Sequence, residues 1–157
     1  MRTLSKGAAA KSAVESLYPS LCKTVIEVWQ LDMLSSASVQ SFAQRASTEL
    51  ERLDIVVLNA GVYETKYMEF EGNEATIYVN VISTFLLGML LFLKLRASAE
   101  AFDARPLICI VGSELHHIAP FPEKNAPRIF DALNDRQKRD SWGSMPCFTR
   151  NVDNVSV

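Results

Sequence analysis

Four polar positions in this sequence stand where an apolar run begins or ends, and each carries a group able to work on a bound ligand. Asp32 closes KTVIEVWQLD, Asn59 opens Asn59-Ala60-Gly61 after DIVVL, Asn80 precedes VISTFLLGMLLFLKL, and Ser113 ends RPLICIVGS. A carboxylate accepts hydrogen bonds, a carboxamide donates and accepts, and a hydroxyl does both while orienting an oxygen-bearing partner. Asn-Ala-Gly is either a plain turn after a strand or a break where backbone approaches something closely. Other chemistries find less support. Gly112-Ser113-Glu114-Leu115-His116 lacks the second glycine of a G-x-S-x-G nucleophile elbow. His116 and His117 are the only histidines, and sequence neighbours do not share a face of a helix or strand, so no metal site is expected. Cys22, Cys109 and Cys147 are far apart with no CxxC spacing, which fits thiols in a reducing, cytoplasmic compartment.

The elements that must position these groups alternate. Ser5–Tyr18 is alanine-rich and helical in period, with Pro19 after it. Lys23–Asp32 is β-branched and aromatic and reads as a strand. Val39, Phe42, Ala43, Ala46, Leu50 and Leu53 recur at helical spacing, with Ser35 or Ser36 as N-cap. Asp54–Leu58 is a short, continuous apolar strand, the kind buried on both faces of a parallel sheet. A polar loop containing Gly72-Asn73 leads into a long helix, Glu74–Ala101, and Arg105–Ser113 is the next strand. Helix, strand, helix, strand, helix, strand is the order of a parallel sheet covered by helices. Beyond His116, Pro120, Pro122 and Pro127 punctuate a loop, RIFDALNDRQKRD could form one amphipathic helix, and the last residues show no period.

Bulk properties narrow the classes. At 157 residues, 48% hydrophobic and 22% charged, the chain is one ordinary globular domain or a large part of one. A net charge of −2 gives no electrostatic case for nucleic acid or an anionic membrane. The N-terminus has no apolar signal-peptide core. The apolar run Phe85–Leu93 is far shorter than the roughly 20 residues a bilayer requires, so no membrane role is expected.

Together, and in this order, the strand ends resemble the short-chain dehydrogenases/reductases, over roughly residues 2 to 140. WQLDMLSSASVQSFAQRA resembles the family's third strand and following helix, and the resemblance puts Asp32 beside the adenine ring of a nicotinamide cofactor. VLNAGV resembles its Asn-Ala-Gly element, which implies that Asn59, Ala60 and Gly61 line the cofactor. NEATIYVNVISTFLLGMLLFL resembles the helix with the active-site asparagine, here Asn80, and ICIVGSE the strand ending in the catalytic serine, here Ser113. MRTLSKGAAAKSA resembles the segment after the second strand, where an arginine, here Arg2, pairs with the 2′-phosphate of NADP. A guanidinium suits that bidentate task, which favours NADP over NAD. Implied are a partial Rossmann-type, doubly wound α/β sheet with three surviving strands and flanking helices, hydride transfer to or from a small carbonyl or alcohol substrate, and a homodimer through the Glu74–Ala101 helix.

The match is incomplete. The six glycines form no phosphate-binding cluster, and no tyrosine (18, 63, 67, 78) has lysine four residues on, although the family uses a Tyr-x-x-x-Lys pair after the serine. A phenol with an unperturbed pKa near 10 needs such a cation to act at neutral pH. A family fragment truncated at both ends is therefore expected. Its organisation would be a partial domain over residues 1–140 and an irregular tail over 141–157, and it would lack turnover as written. The alternative is a non-catalytic remnant that binds a partner or dimerises. Other readings of single residues remain beside these. Ser113 also suits a strand end or N-cap, Asp32 a helix cap, and Asn80 a residue that satisfies backbone.

Overall fold

The computed structural model describes residues 3–18, 26–64, 66–113 and 121–137, together with the backbone of 152–156. Arg2, most of the tail and the first residues of the expected Lys23–Asp32 strand lie outside them. Helices α1 (Leu4–Leu17) and α2 (Ser36–Glu49) come first, followed by strand β1 (Ile55–Leu58). A hairpin of β2 (Glu69–Phe70) and β3 (Asn73–Glu74) leads into α3 (Ala75–Ile77). A π-helical turn (Tyr78–Ser83) joins α3 to α4 (Thr84–Phe102). Strand β4 (Leu107–Ile110), a 3₁₀ turn (Pro122–Asn125), α5 (Ile129–Leu133) and β5 (Val152–Ser156) complete the order.

β1 and β4 pair in parallel, Ile55 opposite Leu107 through Leu58 opposite Ile110. This is the α/β arrangement that the alternating pattern predicts: two parallel strands joined by a connection containing a long helix. β5 pairs antiparallel on the far side of β4, so five residues of a stretch without sequence period form a strand. The core lies on one face of the sheet. Val56 and Leu58 point into it and meet Val39, Ala43 and Ala46 of α2 and Leu87, Leu91 and Leu95 of α4.

Two local features depart from the sequence reading. Residues 26–32 belong to no described ladder, although their β-branched and aromatic content predicts a strand. A ladder requires a hydrogen-bonded neighbour, and β-propensity measures fit to a pleated surface more than backbone preference. Among the described residues the segment does not pair with the open edge of β1 in the order β1-β4-β5. Side chains hold it instead: Trp29 packs edge-on to Phe42 at 5.7 Å, and the Arg45 guanidinium stands 4.1 Å over the Trp29 ring. Among the described residues, the third strand of the sheet is therefore β5 and not Lys23–Asp32. The polar loop around Gly72-Asn73 is a tight hairpin. Glu71 (φ 46°) and Gly72 (φ 78°) both adopt the left-handed conformation that a two-residue turn of this hand requires.

The helix from Ala75 to Phe102 is long and apolar enough to cross a membrane by length and composition, which the shorter run Phe85–Leu93 did not suggest. Half of its most apolar window is buried inside the protein, and the buried residues pack on α2 and β1 as a core helix does.

Candidate functional site

Asn59, Ala60 and Gly61 follow β1 directly, and Val111, Gly112 and Ser113 follow β4. The parallel register places both stretches at the carboxyl edge of the sheet, where open α/β folds bind ligands. There Asn59, Ala60, Gly61, Val111 and Gly112, but not Ser113, line a cavity of about 290 Å³ together with Leu58, Val62, Tyr63, Asn80, Thr84, Phe85 and Ile110. Its volume is close to the lower end for small-molecule sites.

The π-helical turn explains how Asn80 reaches this cavity. Such turns recur at functional sites because one extra residue re-aims the side chains around it. The Asn80 Oδ1 accepts the Val62 N–H at 2.9 Å, and its Nδ2 donates to the Val62 carbonyl, also at 2.9 Å. One carboxamide thus replaces the strand neighbour that Val62 would otherwise need. It also packs against Gly61, where an added Cβ would meet Asn80 Oδ1 at 3.4 Å. The side chain packed against Gly61 is thus the Asn80 carboxamide, at ordinary van der Waals distance from such a Cβ. Thr84, 3% exposed, donates to the Val79 carbonyl at 2.8 Å and caps the widened turn from within.

Asp32 stands apart from the cavity lining. Its Oδ1 accepts the Leu34 N–H at 3.1 Å, its own N–H donates to Ser38 Oγ at 2.9 Å, and its carbonyl accepts from Ser35 N–H. Asp32 therefore shapes the turn before α2, while Ser35 caps that helix by accepting from Ser38 N–H. Of the residues singled out from sequence, the structure brings Asn59, Ala60, Gly61 and Asn80 into one wall. Ser113 follows Gly112 in sequence, outside the cavity lining, and is half-buried. Val62, Ser83 and Thr84 were not singled out. The signal for the last two was present as a Ser-Thr pair inside an otherwise apolar helix, where a hydroxyl needs a partner.

Beside the π-helical turn, Glu71 joins three elements. Its carboxylate accepts hydrogen bonds from the Tyr78 hydroxyl and, at 3.0 Å, from the Ser36 N–H. Those bonds hold Glu71 below the ordinary carboxylate range. Burial, reinforced by the hydrogen bond to Glu71, pushes the Tyr78 phenol up. Glu74, fully buried, accepts from Thr76 N–H and Ile77 N–H and so caps α3. Among the described residues no cluster of His, Cys, Asp and Glu could hold a metal ion.

The family model for short chain dehydrogenases matches residues 2–101, from the start of α1 nearly to the end of α4. The chain belongs to the short-chain dehydrogenase family. Similar members include the short chain dehydrogenase/reductase dmxR8 of Cryptosporiopsis sp., 43% identical over 148 residues. That alignment covers 92% of this chain and 45% of the relative. The short chain dehydrogenase atnD of Emericella nidulans is 43% identical over 140 residues, covering 88% of this chain and 44% of the relative. The short-chain dehydrogenase anuD of Penicillium roqueforti is 40% identical over 137 residues, covering 87% of this chain and 35% of the relative. This short-chain dehydrogenase chain spans less than half the length of each. The asparagine clamp and the Asn59–Gly61 wall of the cavity lie inside the span matched by the family model, whereas the Ile110, Val111 and Gly112 side of the cavity and Ser113 lie beyond it.

Proposed function

We propose that this chain carries part of the nucleotide site of an NADP(H)-dependent oxidoreductase acting on a small carbonyl or alcohol substrate. The observation that carries the reading is the Asn80–Val62 clamp, which holds Asn59–Gly61 as one wall of a cavity at the ends of two parallel strands. Asn59, Ala60 and Gly61 would line the cofactor, and Asp32, at the turn before α2, would face its adenine. Arg2, outside the described residues, is the proposed partner of a 2′-phosphate. The cavity suits a nucleoside portion in size and in its small, close-approaching backbone. No glycine cluster in the sequence suits the pyrophosphate. When bound, the nicotinamide supplies or takes the hydride. The part of this chain is to shape that wall, and of the Ser113 hydroxyl to orient the substrate oxygen. The sequence has no tyrosine with a lysine four residues on, so the proposed chain is inactive alone. The proposed location is the cytoplasm, with no role for nucleic acid or membrane.

Titration of NADPH and NADH into the purified chain, followed by nicotinamide fluorescence, tests the reading. Saturable enhancement or quenching with tighter binding of NADPH, and no turnover of a simple ketone, is expected. An unchanged spectrum with both nucleotides would overturn the cofactor assignment.

A second reading is favoured by Met89 and Leu93, which are 73% and 64% exposed on α4. That face is the proposed contact of a homodimer through the 75–102 helix, with or without bound nucleotide.

A further inference from the structure

Ser83 is the last residue of the π-helical turn and is fully buried. A buried hydroxyl in a helix commonly bonds back to a carbonyl of its own preceding turn. Thr84 does so through Val79. Ser83 instead donates outward to the Met33 carbonyl at 2.7 Å, across 50 residues of sequence. Met33 follows Asp32 in the turn built by the Asp32–Leu34, Asp32–Ser35 and Asp32–Ser38 hydrogen bonds. Those bonds fix the internal shape of the turn and tie it to α2. The bond from Ser83 fixes where the turn stands against the helix that also holds Val62 through Asn80. Within one stretch of helix, two side chains therefore hold two loops, the Asn59–Gly61 wall and the Asp32 turn.

We infer that Ser83 is a positioning residue that sets the Asp32 turn at a defined place relative to the Asn59–Gly61 wall, and thereby the affinity for the adenosine half of the nucleotide. The inference rests on the nucleotide reading above. It assigns no contact between Ser83 and ligand, because the hydroxyl is fully buried and already donates to Met33. Its effect is confined to one end of the ligand. A displaced Met33 carbonyl moves the Asp32 turn, while Asn80 and Val62 keep their own pair of bonds.

The two halves of the cofactor provide the test. Titrations of 5′-AMP and of nicotinamide mononucleotide into the ¹⁵N-labelled chain, followed by amide chemical shifts, measure each half separately for the unaltered protein and for Ser83→Ala. Loss of one hydrogen bond predicts 5′-AMP binding weakened about five- to tenfold, with the mononucleotide held within about twofold. Unchanged affinity for both would overturn the role of Ser83 and leave the nucleotide site standing. Parallel weakening of both would also overturn it, since a general structural role acts on both ends. If the unaltered chain binds neither half, the nucleotide reading fails and the inference with it. Should Ser83→Ala fail to fold, Ser83→Cys, close in size and only a weak donor, is judged by the same criteria. Failure of both to fold assigns Ser83 a structural role and overturns the inference.

Discussion

Asn80 commits both ends of its carboxamide to a single backbone unit, so its removal has a local and calculable consequence. Asn80→Ala leaves the half-buried Val62 N–H and carbonyl without these partners. The expected loss is about 1–3 kcal/mol, measured by urea denaturation. NADPH affinity should fall with it, since the Asn59–Gly61 wall loses its anchor. Asn80→Asp keeps the acceptor but sets a carboxylate against the Val62 carbonyl and should be at least as damaging. A second residue-scale expectation concerns pH. The folded pKa of Glu71 is depressed, so its contribution is present above the unfolded carboxylate pKa and is lost as pH falls through the folded value. The folded pKa of Tyr78 is raised, so its contribution is present below the unfolded phenol value near 10 and is lost as pH rises through the folded one. Melting temperature against pH should therefore decline at both ends, and Glu71→Gln should flatten the acid limb. An acid limb identical in Glu71→Gln and the unaltered chain would exclude the carboxylate as its source. Asn80 itself was visible in the sequence as a polar residue heading an apolar helix. Its partner was not, because Val62 is 18 residues away in sequence and contributes only backbone.

At the scale of elements, helix periodicity was the reliable signal. Val39, Ala43 and Ala46 do face the core, α1 lies within a residue of its expected position, and α2 begins as expected but ends at Glu49, short of Leu50 and Leu53. Strand character misled at residues 26–32, where side-chain type favours a strand but the segment joins no described ladder and is held by side-chain packing instead. Packing between α4 and β1 depends on a small residue that composition alone does not flag. A Cβ added to Gly88 would come within 3.3 Å of Leu58 Cδ1, and Leu58 is the residue before Asn59. Gly88→Val should therefore cost about 1–3 kcal/mol through overpacking, seen as a lower urea midpoint. It should also disturb the amide resonances of 59–61 more than those of α1. Gly88→Ala tests the balance. Its gain in helix propensity, about 1 kcal/mol, opposes a contact only a few tenths of an ångström too tight, so a change near zero is expected.

For the molecule as a whole, burial is one-sided. Val56 and Leu58 are covered by helices, whereas Ile55 and Val57 on the opposite face of β1 are 63% and 58% exposed. Among the described residues β1 also pairs on one side only, and an open apolar edge favours self-association. The chain should therefore elute above its monomer mass in light scattering. Met89→Glu and Leu93→Glu together should lower that mass if α4 is the contact. An unchanged mass in the double variant would direct attention to the uncovered face of β1. What the sequence by itself determined was the class: alternating helix and strand patterns, polar residues at strand ends, and the family motifs that carry Asn59, Asn80 and Ser113. Only the tertiary structure decided which of these meet. Periodicity reports the face each residue presents to its own element, whereas the cavity arises from parallel pairing of β1 with β4, 52 residues apart in register. The same holds for the three hydrogen bonds that tie the two loops to one π-helical turn. Their partners are backbone groups, which every residue carries and no sequence pattern marks.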